Sequence, residues 1–234
     1  MYMGRCEGKI MNKKNAVIIL SGGMDSVTSL AYAVNKGFGC FSLTFDYGQK
    51  SKSEIRAAHY YSKFYNCKKH KIFQIDFSSF SSSALTEADK SVIDDSSNKI
   101  PSTYVSMRNI IFLSIACSWA ETLSCEDVFI GANAIDYSGY PDCREDFLEA
   151  YEKMINIGSK TGSEGGNFTI HRPLVNLSKA EIVKLGHSLG VNYKKTVSCY
   201  QANEEGRACG KCESCDLRKQ GFLDNNFPDE TLYI

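Results

Sequence analysis

The sequence predicts an α/β fold: a doubly wound, mostly parallel sheet flanked by helices, followed by a small C-terminal region. Three observations predict it. Short continuous apolar runs, of the length of buried strands, alternate with segments whose apolar residues recur at helical spacing. Polar segments that contain glycine follow several of these runs, as expected where ligands bind at the carboxyl ends of parallel strands. Four of the ten cysteines fall between residues 199 and 215, which sets the end of the chain apart.

The strands and helices follow one another in a regular order. The first strand is the apolar run AVIIL, which is typical of a strand buried on both faces of a parallel sheet. The predicted strands span 16–20, 40–45, 70–76, 127–132 and 168–175. The predicted helices span 27–34, 53–65, 109–123, 144–158 and 178–190. Ser178 is a candidate N-cap of the last helix, and Glu181 completes a capping box. The serine-rich segment 78–99 predicts a loop or lid, and 158–167 predicts a flexible turn.

The whole chain predicts one nucleotide-binding α/β domain at 15–195, with an N-terminal extension at 1–14 and a four-cysteine region at 196–234 packed on it. The 27 basic residues equal the 27 acidic ones, so no charge excess indicates a nucleic-acid partner. No apolar run approaches the length of a membrane span, and the N-terminus has no apolar signal core. We therefore expect no membrane partner and a cytoplasmic location, which the many cysteines also favour.

Residues 21–26, SGGMDS, connect the first strand to the first helix and have the composition of an anion-binding loop. Glycines let the backbone approach phosphate oxygens, and the helix N-terminus offers unpaired N–H groups and the positive end of its dipole. Ser21 and Ser26 add hydroxyl donors. The loop lacks the Lys-Ser/Thr ending of a Walker A motif, so no lysine of this loop reaches a γ-phosphate. Asp25 makes sense if it holds Mg²⁺ or orients the nucleotide.

Four cysteines near the C-terminus have the spacing of a metal site, C-x9-C-x2-C-x2-C; they are Cys199, Cys209, Cys212 and Cys215. Two overlapping C-x-x-C steps and a fourth thiolate complete a tetrahedral shell for Zn²⁺. A full shell leaves no open position, so the predicted zinc, one per subunit, is structural and catalysis lies elsewhere. Disulfides, free thiols or an iron–sulfur cluster remain as alternatives.

These segments together resemble a known family. SGGMDS after a first strand resembles the signature of the PP-loop ATP pyrophosphatases, which cleave ATP between the α- and β-phosphates and attach AMP to a substrate oxygen. Within that superfamily the 7-cyano-7-deazaguanine synthases of queuosine biosynthesis are similar to this chain over about 16–222, in FDYGQ, SMRNIIFLSIA, DYSGYPDCREDF, KAEIVKLG and the cysteine block. The resemblance implies an ATP-dependent ligase that converts 7-carboxy-7-deazaguanine and ammonia to the nitrile through an adenylated carboxylate and an amide. It also implies Mg²⁺ and a homodimer.

The resemblance and the residue types together predict the site residues. The residues expected to bind ATP are Leu20, Ser21, Gly22, Gly23, Met24, Asp25, Ser26, Val27, Thr28, Ser29 and Leu30. The residues expected to be catalytic are Asp25, Ser26 and Arg108. The residues expected to bind the substrate are Tyr47, Gln49, Arg108, Asn109, Asp136, Tyr140, Asp142 and Arg144. Guanidinium groups match carboxylate or phosphate bidentately, and aromatic and amide side chains hold a planar base.

The residues outside the loop also have structural interpretations. Arg108 can be a salt-bridged helix end, Asp142 a turn residue, and Tyr47 and Tyr140 core aromatics. Cys143 lies outside the cysteine cluster, and a packed thiol is favoured there over a nucleophile. The four histidines show no metal-ligand spacing.

Two other functions fit parts of the pattern. A PP-loop tRNA sulfurtransferase would need sulfur-relay cysteines and a basic RNA surface, which the closed four-cysteine shell and the neutral charge disfavour. A non-catalytic ATP-binding zinc protein is disfavoured by an intact loop with Asp25. A chain of this length has no room for a glutaminase domain, so we expect free ammonia to be the nitrogen donor.

Overall fold

The computed structural model describes residues 14–79, 83–87, 89, 92, 100–134 and 139–234. Five strands form one sheet in the order β3-β2-β1-β4-β5, and every neighbouring pair is parallel. The strands are β1 (Asn15–Ile19), β2 (Gly39–Asp46), β3 (Lys69–Gln74), β4 (Asp127–Phe129) and β5 (Thr169–His171). The predicted doubly wound parallel sheet is therefore confirmed. The chain reverses direction across the sheet between β1 and β4, which is where such folds bind ligands.

Seven helices connect and flank the strands in the described part of the chain. They are α1 (Met24–Asn35), α2 (Ser53–Phe64), α3 (Arg108–Thr122), α4 (Glu145–Gly158), α5 (Lys160–Ser163), α6 (Lys179–Ser188) and α7 (Glu213–Leu223). Short 3₁₀ turns occur at Phe77–Ser79, Pro141–Cys143 and Tyr193–Lys195. Among these helices none is both long and apolar enough to cross a bilayer.

Apolar side chains of β1 alternate between two cores, one on each face of the sheet. Ile18 packs with α1, α2 and α6 on one face, and Val17 packs with α3 and α4 on the other. Both side chains are fully buried, as the pleat of a central parallel strand requires. Burial on both faces holds the end of β1, and the loop that follows it, in one position.

The structure differs from the predicted elements in four places. The strand predicted at 168–175 ends at His171, because Pro173 has no N–H for the ladder, and β4 ends at Phe129. The predicted turn at 158–167 contains α5, whose N-cap Ser159 accepts a hydrogen bond from the Gly162 N–H. The sequence does not predict the helix α7, because its buried positions include Ser214, Arg218 and Gly221 and so give no apolar spacing. The capping box of Ser178 and Glu181 is confirmed.

The C-terminal residues pack directly on the segment that connects β1 to α1. The Val197 N–H donates to the Gly22 carbonyl oxygen at 3.0 Å, and the Met24 N–H donates to Ser198 Oγ at 3.0 Å. Cys212 belongs to the same hydrophobic cluster as the α3 face of the sheet. A boundary at 195/196 stays a prediction, and the extension at 1–14 lies outside the described residues except for Lys14.

Candidate active site

The loop between β1 and α1 is held in an open cradle by its own serines. Ser26 Oγ accepts hydrogen bonds from the Ser21 and Gly22 N–H groups, both at 3.2 Å, and donates to the Gly23 carbonyl oxygen at 3.0 Å. The hydroxyls of Ser21 and Ser26 are 3.0 Å apart. Ser26 therefore organises the loop from within, at the positively polarised start of α1. The geometry fits the anion-binding loop expected from the sequence.

Glycine is required where other backbone segments approach this loop. Gly22 has φ +93°, and a Cβ built there would lie 2.6 Å from the Ala58 amide nitrogen and closer still to the Glu54 carbonyl oxygen. Gly131, which follows β4, backs onto the first turn of α1, where an added Cβ would lie 2.9 Å from Ser26 Cα. The two glycines let α2 and the end of β4 pack against the loop, which fixes its position relative to both.

Asp25 forms an ion pair that the sequence did not predict. Lys179 Nζ, at the start of α6, donates to Asp25 Oδ1 at 3.0 Å and to Oδ2 at 2.8 Å. Lys179 is only 6% exposed, so its ammonium is held in place by the pair and by the surrounding core. An ammonium at this position adds a positive charge beside the loop, although no lysine lies within the loop itself. The lysine is part of the KAEIVKLG segment, and only its contact with Asp25 was hidden from the sequence.

A cavity of about 220 Å³ opens in front of the loop, at the carboxyl ends of β1, β2 and β4. The predicted site residues that line it are Leu20, Ser21, Gly23, Met24, Asp25, Ser26, Tyr47, Gln49, Arg108, Asn109 and Tyr140. Phe45 and Phe112, which were not predicted, add a stacked aromatic pair with ring centroids 3.8 Å apart. The cavity thus has the Ser21–Ser26 loop on one side and a wall lined by aromatic and amide side chains on the other.

The remaining predicted residues of the loop and of α1 lie away from the cavity. Gly22 faces α2, and Val27, Thr28, Ser29 and Leu30 are fully buried between α1 and the sheet. Thr28 Oγ1 is hydrogen-bonded to the Met24 carbonyl oxygen at 2.8 Å and to the Tyr193 hydroxyl at 2.7 Å. None of these five is among the described residues that line the cavity. Their contact with a nucleotide stays a prediction, and the structure gives their side chains a packing role.

Arg108 and Tyr47 lie side by side on the cavity wall. Arg108 Nη1 donates to the Tyr47 hydroxyl at 3.3 Å, and its guanidinium carbon lies 5.6 Å from the ring centroid. Burial raises the pKa of Tyr47 to about 12, so its hydroxyl stays protonated. Tyr140 is 6% exposed and its hydroxyl is hydrogen-bonded to Thr103. These three residues therefore present a guanidinium cation and two neutral phenols to a ligand.

Asp142 supports the site from behind. Its Oδ2 accepts a hydrogen bond from the Asn109 N–H at 2.9 Å, while Asn109 Nδ2 donates to the Asp142 carbonyl oxygen at 3.1 Å and to Cys143 Sγ at 3.2 Å. Asp142 is buried and is not among the lining residues. Burial raises the pKa of the Cys143 thiol to about 12, which supports a packed thiol rather than a nucleophile.

Arg144 and Asp136 remain of the predicted substrate residues. Arg144 is exposed at the start of α4 and is not a lining residue in the described part of the chain. Its contact with the substrate stays a prediction. Asp136 lies outside the described residues.

Glu54 was not singled out by the sequence, although it lines the cavity. Gln49 Nε2 donates to Glu54 Oε1 at 2.8 Å and to the Phe45 carbonyl oxygen at 3.1 Å, and Gln49 Oε1 accepts from the Tyr47 N–H at 2.8 Å. Burial raises the pKa of Glu54 to about 7, against the opposing effects of the Gln49 hydrogen bond and the Arg108 charge. No motif signalled this, because the cause is tertiary packing.

The four predicted metal cysteines converge. Their sulfurs all lie within 4.8 Å of one another, with Cys212 Sγ 3.5 Å from Cys215 Sγ and 3.9 Å from Cys199 Sγ. A tetrahedral site with Zn–S bonds of about 2.3 Å needs sulfur separations of about 3.8 Å. The N–H groups of Gln201 and Cys209 donate to Cys199 Sγ at 3.3 and 3.2 Å, as suits a thiolate. The donor set fits a four-thiolate metal site and not a catalytic one.

Comparisons with known proteins agree with this arrangement. The family model described as "Queuosine biosynthesis protein QueC" matches residues 15–226. The chain is 50% identical to the 7-cyano-7-deazaguanine synthase of Cellvibrio japonicus, over 95% of this chain and 99% of that protein. It is 52% identical to the enzyme of the same name from Coxiella burnetii, over 94% and 98%.

Among solved structures, the fold is similar to an NMN synthetase from Francisella tularensis, with a TM-score of 0.50 and 16% identity over 93% of this chain and 79% of that one. At this identity the likeness concerns the fold alone. The family model and the near full-length relatives go further, and they show that the chain belongs to the family of the queuosine biosynthesis protein QueC.

Proposed function

We propose that this protein is an ATP-dependent carbon–nitrogen ligase that makes 7-cyano-7-deazaguanine from 7-carboxy-7-deazaguanine and ammonia. The observation that carries the proposal is one cavity in which the Ser21–Ser26 loop faces Tyr47, Gln49 and Arg108. The relatives that are half identical over nearly their whole length bear the name of this activity. The loop suits the triphosphate, and the aromatic and amide wall suits a planar base.

The reaction needs two dehydrating rounds, and one site serves both. A carboxylate oxygen attacks the α-phosphorus of ATP, pyrophosphate leaves, and ammonia then displaces AMP to give the amide. The amide oxygen is adenylated in the same way, and elimination of AMP gives the nitrile. The positively polarised start of α1 and the Lys179 ammonium beside it stabilise charge on the departing pyrophosphate. Arg108 pairs with the substrate carboxylate or with phosphate.

Mg²⁺ bound to the nucleotide would neutralise phosphate charge. Of the predicted carboxylates, Asp25 lies at the loop and retains lone pairs beyond the two hydrogen bonds from Lys179. Asp25 fits as one ligand, with phosphate oxygens and water as the others, which is the usual Mg²⁺ arrangement. The four cysteines would hold one structural Zn²⁺, which would fix the turns of residues 199–215 relative to one another.

The test is a mass-spectrometric assay with ATP, Mg²⁺, ammonium and 7-carboxy-7-deazaguanine, beside a reaction without ammonium. We expect the nitrile to form only with ammonium, and Asp25→Ala to abolish it. ATP turnover without nitrile would overturn the substrate assignment and make tRNA the next substrate to test. Absence of ATP turnover in a folded, zinc-loaded sample would favour an ATP-binding protein without catalysis. A homodimer in the cytoplasm, with no nucleic-acid partner, stays a prediction from the sequence.

A further inference from the structure

The proposed reaction releases protons at one nitrogen, and something in the cavity must accept them. Ammonia that attacks the acyl adenylate has to lose one proton to become a neutral amide. The adenylated amide has to lose its two N–H protons before and during the elimination that forms the nitrile. A general base therefore has to lie beside the carbon that reacts, within reach of the attacking nitrogen.

Four of the ionisable groups that line the cavity are unsuited to this role. Asp25 already accepts hydrogen bonds from Lys179 at both carboxylate oxygens. Arg108 is a fixed cation without a lone pair to offer. Burial raises the pKa of Tyr47 and of Cys143 to about 12, so both keep their protons at neutral pH.

Glu54 has the position that the reaction needs. Glu54 is the second residue of α2, and the first turn of this helix packs against Gly22 of the Ser21–Ser26 loop. Its side chain lines the same cavity as Tyr47 and Arg108, where we place the heterocyclic ring and the carboxylate of the substrate. Glu54 therefore adjoins the loop that would hold ATP through its backbone and reaches Gln49, on the wall that would hold the acid, through its carboxyl group.

The surroundings hold the Glu54 carboxyl in one orientation and leave it a proton-accepting oxygen. Gln49 cannot flip its amide, because its Oε1 accepts from the Tyr47 N–H. Its Nε2 must therefore donate to Glu54 Oε1. Among the described residues, the Glu54 side chain accepts this hydrogen bond at Oε1. Its Oε2 forms no ion pair with any of them. The nearby Lys52 ammonium is paired with Asp46 instead.

We infer that Glu54 is the general base that takes the protons from nitrogen in both rounds of the reaction. The inference rests on the proposed function. In the first round the ammonia nitrogen forms a bond to the acyl carbon, the bond from that carbon to the AMP oxygen breaks with its electron pair, and a proton moves from nitrogen to Glu54. In the second round Glu54 takes a proton from the adenylated amide. After returning that proton to solvent, it takes the last N–H proton as the C≡N bond forms and AMP leaves.

The electrostatics of the site agree with this role. The groups that act on Glu54 are Gln49, Arg108 and Lys52, which favour the ionised carboxylate, and Asp46, which opposes it. Burial outweighs them and raises the pKa of Glu54 to about 7. A base with a pKa close to the working pH is ionised often enough to act and basic enough to accept a proton from nitrogen.

The experiment compares wild type with Glu54→Gln, which keeps the shape and the hydrogen bond from Gln49. The control is Glu164→Gln, which replaces an exposed glutamate at the C-terminal end of α5. Three rates are measured for each protein: exchange of pyrophosphate into ATP with the acid but without ammonium, formation of amide and nitrile with ammonium, and formation of hydroxamate with hydroxylamine. Hydroxylamine is largely unprotonated at neutral pH and is the stronger nucleophile, so it depends less on a base.

We expect Glu54→Gln to keep its pyrophosphate exchange and most of its hydroxamate formation, while amide and nitrile formation fall by about 10²- to 10⁴-fold. Glu54→Asp should recover part of the loss. At a fixed concentration of free ammonia, the rise of the wild-type rate with pH should be absent in Glu54→Gln.

Two results would overturn the inference while leaving the proposed function intact. One is unchanged amide formation in Glu54→Gln, and the other is an equal fall in all three rates, which would mark Glu54 as merely structural. A wild type that shows no exchange with this acid would instead overturn the proposed function, and the inference with it.

Discussion

Replacing Glu54 by glutamine should make the protein more stable at alkaline pH, even though we expect it to disable the reaction with ammonia. The pKa of Glu54 is raised from 4.5 to about 7 by burial. Between pH 4.5 and about pH 7, Glu54 therefore keeps its proton in the folded protein but has lost it in the unfolded protein. The stability of the wild type falls as pH rises through this window and is level above it. Glutamine carries no charge and escapes this loss.

The size of the effect follows from the pKa. Each tenfold change in proton affinity is worth about 1.4 kcal/mol, so ionised Glu54 costs the folded state up to about 3 kcal/mol. Because the side chain retains part of its contact with solvent, we take about 2 kcal/mol as the expected gain at pH 8. At pH 5 the gain should be less than about 1 kcal/mol, since the carboxyl is then protonated in the folded state.

The assay is urea unfolding of zinc-loaded wild type, Glu54→Gln and the surface control Glu164→Gln at pH 5 and pH 8. The control should change the free energy of unfolding by less than about 1 kcal/mol at both pH values, because exposed ion pairs contribute little. A Glu54→Gln protein that is no more stable than wild type at pH 8, or equally stabilised at both pH values, would refute the reasoning. The carboxyl would then not be held in a desolvated position.

Three other substitutions test the rest of the site. Gly22→Ala should destabilise the protein by at least about 3 kcal/mol in thermal unfolding, through positive φ and a clash with the α2 backbone; Gly37→Ala, with φ +87° but open space, should cost only about 1 kcal/mol. Lys179→Met should lower pyrophosphate exchange at least about tenfold, because the loop aspartate loses the cation that orients it. Cys212→Ser should purify without its metal by elemental analysis, whereas Cys117→Ser, a buried thiol outside the cluster, should retain it.

Each of these expectations has a contradicting result. Equal destabilisation by the two alanine substitutions would mean that α2 does not press on the loop. Normal exchange in Lys179→Met would assign the ion pair to stability alone. Full zinc content in Cys212→Ser would remove this cysteine from the metal site, and iron in place of zinc would support the iron–sulfur alternative.

The sequence was most informative where chemistry depends on neighbours along the chain. The SGGMDS loop and the four cysteines are recognisable because tight turns, helix starts and metal shells are built from residues close in sequence. The order of strands and helices was predictable for the same reason, since apolar spacing is a local property. The helix α7 is the exception, because its buried face includes polar residues such as Ser214 and Arg218 and therefore has no apolar spacing.

The sequence alone was less able to divide roles among the polar residues of the site. Asp142 and Asp25 both lie in short polar motifs of the sequence, yet Asp142 is a buried acceptor for the Asn109 N–H and Asp25 is paired with a lysine at the cavity. Arg108 and Arg144 are equivalent by type, but Arg108 faces the cavity while Arg144 is exposed. Residue type set the candidates, and the direction of each side chain selected among them.

The sequence by itself determined the class of fold, the candidate anion-binding loop and the four-cysteine cluster of this protein. Only the tertiary structure decided which charges meet. Lys179 lies 154 residues from Asp25 along the chain and reaches it because α6 packs beside α1. Glu54 has an unusual pKa only because α2 carries it into a cavity that the loop, β2 and α3 close around it. Spacing along a chain reports local geometry, whereas desolvation and ion pairing depend on what folding brings together from a distance.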